Sequence, residues 1–413
     1  MDSLRDYVYR FLRWSEKYTR TDMVYLFNSS FWLQMTSVFI TAGSFIVYVI
    51  FGHLLPKDIY GNYQYLLSLG AITSAFTMSG MNGAVIRAVA RGYEGSFLAS
   101  LRIQLLWGLV PALGGFAIGG YYLLHGNSTL GWGLVLIGMF VPFNTTFNTF
   151  GAYLTAKKDF ERNFYYYVIV NAPYFVAVAL VAFSLQSALA LLAANLIAQA
   201  LGYYIAHRRT VNVYKPHGAI DPEMTRYATH LTFINALTTI MGQLDNILVF
   251  HFLGAGELAL YSFATAMPSR LGIFKNFANA AFPKYAERSH DEARSSIVRK
   301  VIFAAAVTLG LALVYDLFAH ILFILFFPRY IDAAPYSQIF AFVIALSFSS
   351  IFVTLMTAQG RVQRLYIYNL ISPFITLIFE FAGVITGGLW GLIWGILAST
   401  LVNSLLSAVL ALW

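Results

Sequence analysis

Apolar runs of about twenty residues, broken by short clusters of charge, glycine and proline, recur along the whole of this 413-residue chain. A hydrocarbon layer of ~30 Å is crossed by about 20 apolar residues as helix, and only helices or closed barrels satisfy their own backbone there. Continuous runs of this length predict helices. Reading between the charge clusters gives twelve spans, at 31–53, 59–82, 98–123, 131–154, 164–184, 187–206, 231–253, 258–282, 301–325, 334–357, 365–385 and 388–412.

Composition supports the same class. The chain is 59% hydrophobic and 11% charged, against ~25% charged in soluble proteins. A water-soluble fold would lack polar residues to cover its surface, so an all-α polytopic membrane protein is predicted. The first 26 residues carry five Arg/Lys and no signal-like apolar core. Leu4, Tyr7, Val8, Phe11 and Tyr18 recur there at roughly helical spacing, which predicts an amphipathic leader, 1–26, on an anionic cytoplasmic surface. The absence of cysteine excludes disulfides, thiolate metal sites and Cys nucleophiles.

Charge sets the orientation. With a cytoplasmic N-terminus, 21 of the 26 Lys/Arg fall on the inner side, Lys57 and Arg329 fall outside, and Arg102, Arg270 and Lys275 fall within spans. The positive-inside rule then places both termini in the cytoplasm, in a multi-pass inner (plasma) membrane protein. The net charge of +8 is accounted for by topology, and no nucleic-acid partner is expected.

The chain also repeats. LPKDIYGNY (Leu55–Tyr63) and LGAGELALY (Leu253–Tyr261) share Leu and Tyr in register 198 residues apart, with His53 and His251 also matching. Each follows the first helix of a six-span half, 27–206 and 231–413, and a hydrophilic linker, 207–230, separates the halves. An even number of spans per half makes the repeats parallel, about an axis along the membrane normal. Two six-helix lobes around a central cavity are expected.

The segment HLLPKDIYGNYQYLLSLGAITSAFTMSGMNGAVIRAVARG, with GQLDNILVFHFLGAGELALYSFATAMPSRL and FPKYAE, resembles the Wzx-type polysaccharide flippases of the multidrug, oligosaccharidyl-lipid and polysaccharide exporter superfamily. In that family a Leu-Gly-x-x-x-x-Gly-x-Tyr-like turn follows helices 1 and 7, and Gln-Leu-Asp lies late in helix 7. This chain departs at Pro56, in place of the first glycine of the first turn, and at Ala259, in place of the second glycine of the later one. The resemblance implies transport of a polyprenyl-(di)phosphate-linked oligosaccharide to the outer leaflet, without enzymatic chemistry. Such a headgroup cannot cross hydrocarbon unaided, because each unpaired hydroxyl costs several kcal/mol and a charge costs more. Alternating access of a cavity between lobes solves this. The implied partners are the lipid-linked glycan, membrane lipids and glycan-assembly enzymes, and a monomer is expected.

Intramembrane charges are the candidate site residues. Arg270, two residues after Pro268, is read as a phosphate ligand or as the ion-pair partner of Asp245. Lys275 and Arg102 lie closer to the cytoplasmic ends, where long side chains snorkel. Arg87 is read as a first contact for an incoming diphosphate or as a topology anchor. Asp245 and Glu380 fall at matching depth and form a candidate proton or sodium site, with Asn369, Thr376, Thr400 or Asn403 as further donors; the superfamily resemblance implies a cation among helices 7, 11 and 12. Asn144, Asn148, Asn171, Asn195 and Gln199 line the first half and would serve sugar hydroxyls or interhelical hydrogen bonds. No cofactor is expected beyond Na+ or H+, and no metal site or catalytic residue. Two other functions share these features: a cation-coupled exporter of small amphipathic compounds, and a membrane glycan polymerase or ligase. The first calls for a cavity richer in carboxylates, and the second for a long outer loop or a His/Asp/Glu cluster. No nucleophile with a base and no Gly-rich phosphate loop is present, so no ATPase is encoded here.

Overall fold

The computed structural model describes residue 13, residues 23–269 and residues 290–412. Among these every regular element is helical. The first six passes are α1 (Met23–Leu54), α2 (Lys57–Ala75) with α3 (Met81–Ala90), α4 (Gly95–Leu124), α5 (Ser128–Phe147) with α6 (Thr149–Ala156), α7 (Phe160–Ser184) and α8 (Ala188–Tyr214). The next six begin with α9 (Met224–Met241) and α10 (Leu244–Leu253), then α11 (Ala255–Ala266), whose sequel lies outside the described residues. They continue with α12 (His290–Phe326), a 3-10 turn (Pro328–Ala333), α13 (Ala334–Leu346) with α14 (Ser349–Ala358), and α15 (Val362–Leu412). At ~1.5 Å per residue α15 is far longer than one bilayer crossing, and it folds back at Gly387 and Gly388, which leave helical φ/ψ, to make two passes. The chain is thus an all-α polytopic membrane protein of twelve passes. Of the expected leader, only residue 13 and 23–26, the beginning of α1, are among the described residues.

The helices outrun the apolar runs. Arg208 and Arg209 are within α8 and 224–230 within α9, so only 215–223 of the expected linker is non-helical. A charge ends burial in hydrocarbon, whereas a helix ends where the backbone leaves αR, as at Lys215 (φ 46°, ψ 54°). Starts are set likewise by side chains: Asn127, Asp159 and Ser187 accept the N–H groups of Leu130, Arg162 and Ala190. The duplication is visible in the backbone as well. The fourth pass breaks at Asn148, and its counterpart one repeat later breaks at Ser347–Phe348.

Contacts divide the chain into two compact units, Met1–Ile50 with Leu69–Ile240, and Phe51–Ser68 with Met241–Trp413. These differ from the expected lobes, 27–206 and 231–413. The tip of the first hairpin, 51–68, packs with the second unit, and α9 packs with the first.

In the first unit, the linker is tied to the turn between α3 and α4. Asp221 accepts Arg91 at 3.4 Å and its N–H donates to Ser96 Oγ at 2.9 Å. Glu94 in the same turn pairs with Lys157 and accepts the Tyr153 hydroxyl at 3.0 Å. The hydrogen bond from Lys157 holds the Glu94 carboxyl below its ordinary range, with Tyr153 adding to it and burial opposing. A carboxyl with a lowered folded value stabilises fully above the ordinary glutamate pKa of about 4.3 and loses that stabilisation as pH falls through the folded value. Glu94→Gln is therefore expected to lower Tm by about 2 °C at pH 7. The gap to wild type should close on acidification well below pH 4, and differential scanning fluorimetry across that range checks it; a gap independent of pH would refute the assignment.

In the second unit, the hairpin tip is seated deeply. Leu55, Tyr60 and Tyr63 are 0%, 2% and 2% exposed, so these tyrosines are not the interfacial anchors that their flanking charges suggest. Tyr60 meets the rings of Phe51, Tyr63, Phe263 and Tyr330 with centroids at 4.9–6.4 Å, and Tyr65 stacks on Phe250 at 3.7 Å. Tyr330 OH donates to the Leu55 carbonyl at 3.0 Å and Arg329 Nη1 to the Leu54 carbonyl at 2.7 Å. Lys57 pairs with Asp332 at 2.5 Å. The two cations that the charge count puts on the outer side both hold this hairpin. Pro56, where the family pattern has glycine, begins the turn between α1 and α2. Gly61 keeps the family glycine because Ala255 backbone lies against it, leaving no room for a Cβ.

Candidate functional site

The seventh pass is discontinuous. Helix α9 stops at Met241, Gly242 and Gln243 turn, and α10 restarts at Leu244. Asp245 therefore lies in the first turn of a half-helix within the membrane, where N–H groups and the helix dipole favour an anion. Its Oδ1 accepts the Asn246 N–H at 2.8 Å and its Oδ2 accepts the Tyr261 hydroxyl at 2.5 Å. Asn246 in turn donates to Ser68 Oγ at 3.0 Å and Gln243 Oε1 at 3.2 Å. Tyr261 is the final residue of the repeated turn motif. One repeat earlier the residue equivalent to Asp245 is Val47.

Glu380 joins this group from the first arm of α15. It is 7% exposed, within electrostatic reach of both Asp245 and Tyr261. The two arms of α15 press backbone to backbone through Gly383, Gly391 and Gly395, where a side chain on any of the three would clash. Gly395 lies against Phe379 and Glu380. This close packing brings the second arm's polar stripe against the first: Asn403 Nδ2 donates to Thr376 Oγ1 at 3.0 Å, and Asn403 Oδ1 is buried with no donor among the described residues. Thr376 and Glu380 are one turn apart on one face. Thr400 is half-buried a turn before Asn403, and Asn369 is exposed two turns before Thr376. Among the described residues neither carboxylate has an ion-pair partner. A buried and a half-buried carboxylate with a phenol and nearby amide and hydroxyl oxygens can hold a proton or a small hard cation.

Of the candidate phosphate ligands, Arg270 and Lys275 lie outside the described residues, and with them the expected Asp245–Arg270 pair. Arg87 pairs with Glu223 at 3.1 Å and sits over the Tyr227 ring at 4.8 Å, joining α3 to the linker and α9. Arg102 is exposed on α4. Sequence reasoning missed Tyr261 as the partner of Asp245. The signal was present, since the repeated motif ends on a tyrosine and, in the second copy, a carboxylate stands sixteen residues before it, but pattern alone does not show which side of a helical hairpin each faces.

Comparison with known proteins places these features. Residues 50–299 match the model of the family described as polysaccharide biosynthesis protein. Among solved structures the chain is similar to an inward-facing conformation of a multidrug resistance MATE family transporter of the MOP superfamily, with TM-score 0.70 and 15% identity over 92% of this chain and 96% of that one. An outward-facing conformation of a transporter described in the same words gives TM-score 0.62 at 14% identity, covering 92% of each chain. A MATE protein in its straight conformation gives 0.61 at 15%, covering 94% of each. At such identities the likeness is one of fold. No curated protein matches the sequence.

Proposed function

The chain belongs to the polysaccharide biosynthesis protein family, and from that premise we propose that it is a flippase for a polyprenyl-(di)phosphate-linked oligosaccharide. It carries the headgroup from the inner to the outer leaflet of the cytoplasmic membrane by alternating access, with both termini cytoplasmic. An ion gradient or the membrane potential drives it.

The observation that carries the mechanism is the broken seventh pass, with Asp245 in its first turn beside Tyr261 and Glu380. A discontinuous helix with a carboxylate at the break is the kind of element that binds a coupling ion near the bilayer midplane. In this reading Asp245 and Glu380 take up H+ or Na+, with Thr376, Asn403, Thr400 and Asn369 nearby as neutral oxygen donors. Arg270 and Lys275 receive the phosphate, and Arg87 and Arg102 draw it to the inner opening. The hairpin tip 51–68 seals the outer end of the second unit and must unseat for release outside.

Transport of a fluorescent polyprenyl-diphosphate disaccharide into the outer leaflet of proteoliposomes tests the reading. Arg270→Ala is expected to abolish it while leaving expression and insertion intact, since a guanidinium–phosphate contact is a bidentate, charge-assisted one. Full transport by that variant would remove the phosphate role. Asp245 and Glu380 would serve a cation-coupled exporter of small amphipathic compounds equally well; efflux of a cationic dye without transport of the glycolipid would favour that function instead.

A further inference from the structure

Helices α7 and α8 carry polar side chains in the middle of the membrane that do not hold the fold together. Asn171 lies near the centre of α7 and Gln199 near the centre of α8. Intramembrane amides commonly bridge helices. Asn144 does so, donating to the Leu196 carbonyl of α8 at 3.2 Å. Asn171 and Gln199 instead bond within their own helices, Asn171 Nδ2 to the Tyr167 carbonyl at 2.8 Å and Gln199 Nε2 to Asn195 Oδ1 at 2.6 Å. An amide has two donors and an oxygen acceptor. In Asn171 and Gln199 the oxygen and the second N–H make no bond among the described residues, and these side chains are half-buried rather than enclosed. In hydrocarbon each such group would cost several kcal/mol, so this face meets water or a polar ligand.

Gly202 fixes where the face forms. A Cβ there would lie 2.7 Å from Val170 Cα, so the glycine lets α8 cross close on α7. The residues following these two contact points are Tyr203 and Asn171. Tyr203, half-buried and one turn after Gln199, lies within electrostatic reach of Tyr167 and Tyr174, so phenols of both helices gather beside this crossing. Neither helix carries a charge at this depth: Glu161 and Arg162 are at the start of α7, and Arg208 and Arg209 near the end of α8. Amides and phenols without charge suit hydroxyl groups and the flat apolar faces of pyranose rings. They offer no charge to pair with a phosphate.

We propose that the Asn171–Gln199–Tyr203 face is a subsite for the uncharged sugars of the glycan headgroup, separate from the residues that take its phosphate. The inference rests on the flippase reading for the identity of its ligand. Because Asn171 and Gln199 bond only within their own helices, Asn171→Leu/Gln199→Leu leaves the fold intact, and a Tm within a few degrees of wild type controls for this. In proteoliposomes the double variant is expected to raise KM at least about fivefold for polyprenyl diphosphate bearing an N-acetylhexosamine–hexose disaccharide, about 1 kcal/mol of lost binding. KM for sugar-free polyprenyl diphosphate should stay at the wild-type value, and Tyr203→Phe should show the same split more weakly. Equal effects on both lipids, or on neither, would overturn the subsite. Should wild-type protein move neither lipid, the flippase reading fails, and saturation-transfer NMR with a panel of free uncharged oligosaccharides judges the subsite alone. Transfer to wild type that is lost in the double variant upholds it, and no transfer to wild type overturns it.

Discussion

Gly61→Val is expected to insert normally and yet to lose transport by a factor of ten or more. Gly61 lies on α2 at the place where Ala255, the first residue of α11, presses its backbone carbonyl against the helix, and an added Cβ would fall inside that oxygen's van der Waals shell. Backbone cannot swing aside as a flexible side chain can, so the hairpin tip must lift from its seat. Overpacking of this kind costs typically ~1–3 kcal/mol, and each ~1.4 kcal/mol is tenfold in rate. The cost falls only on the conformation in which Tyr60, Phe263 and Tyr330 pack together and Lys57 meets Asp332, so the cycle is biased toward the unseated form. Initial rates of glycolipid transport in proteoliposomes, normalised to inserted protein, check it. Gly310→Ala, where an added methyl meets nothing within 4 Å, is the control and should transport as wild type. Wild-type rates for Gly61→Val would mean that the seated hairpin is not part of the cycle.

A loss of similar size is expected at Asp245, with a different signature. Asp245→Asn keeps the shape of the side chain and removes its charge, so the Tyr261 hydroxyl loses an ionic acceptor in a buried site. A hydrogen bond to a charged group contributes roughly 1.5–3 kcal/mol, which corresponds to about ten- to a hundredfold in rate. The decisive readout is coupling: wild-type transport should rise with an imposed proton or sodium gradient, and Asp245→Asn should be slow and indifferent to it. Glu380→Gln is expected to act in the same direction, because Glu380 shares the electrostatic environment of Asp245. Tyr261→Phe should be milder, since the carboxylate keeps its charge and the Asn246 N–H. Undiminished gradient dependence in Asp245→Asn would remove the carboxylate from the coupling role.

Particular residues show how far the pattern reached. Asp245 and Glu380 stood out because a carboxylate in an apolar run is costly and therefore conspicuous. Tyr261 and the break at Gly242–Gln243 did not, since tyrosine and glycine are ordinary in spans and signal nothing by composition. The burial of Tyr60 and Tyr63 is hidden for a related reason: beside Lys57 and Asp58 their polarity suits a surface turn, and only the arrival of Phe263 and Tyr330 from the second half buries them. Helices α8 and α9 run into the hydrophilic 207–230 segment; hydropathy reports where lipid ends and says nothing of where backbone hydrogen bonding ends. Arg87 was recognised as a cation near a span end, but its partner Glu223 lies far along the chain, beyond the reach of any local pattern.

The sequence by itself determined the solvent of this protein, its twelve passes and its duplication, because each follows from the local cost of placing a residue in hydrocarbon and from similarity along one chain. Tertiary structure decided which polar groups meet. It seated the first hairpin in the second unit, set Tyr261 on Asp245, and left the amides of Asn171 and Gln199 bonded to their own helices. Those outcomes turn on close approaches at Gly61, Gly202, Gly391 and Gly395. A glycine looks the same in a sequence whether a helix, a ligand or nothing lies against it, and only the packed backbone distinguishes them.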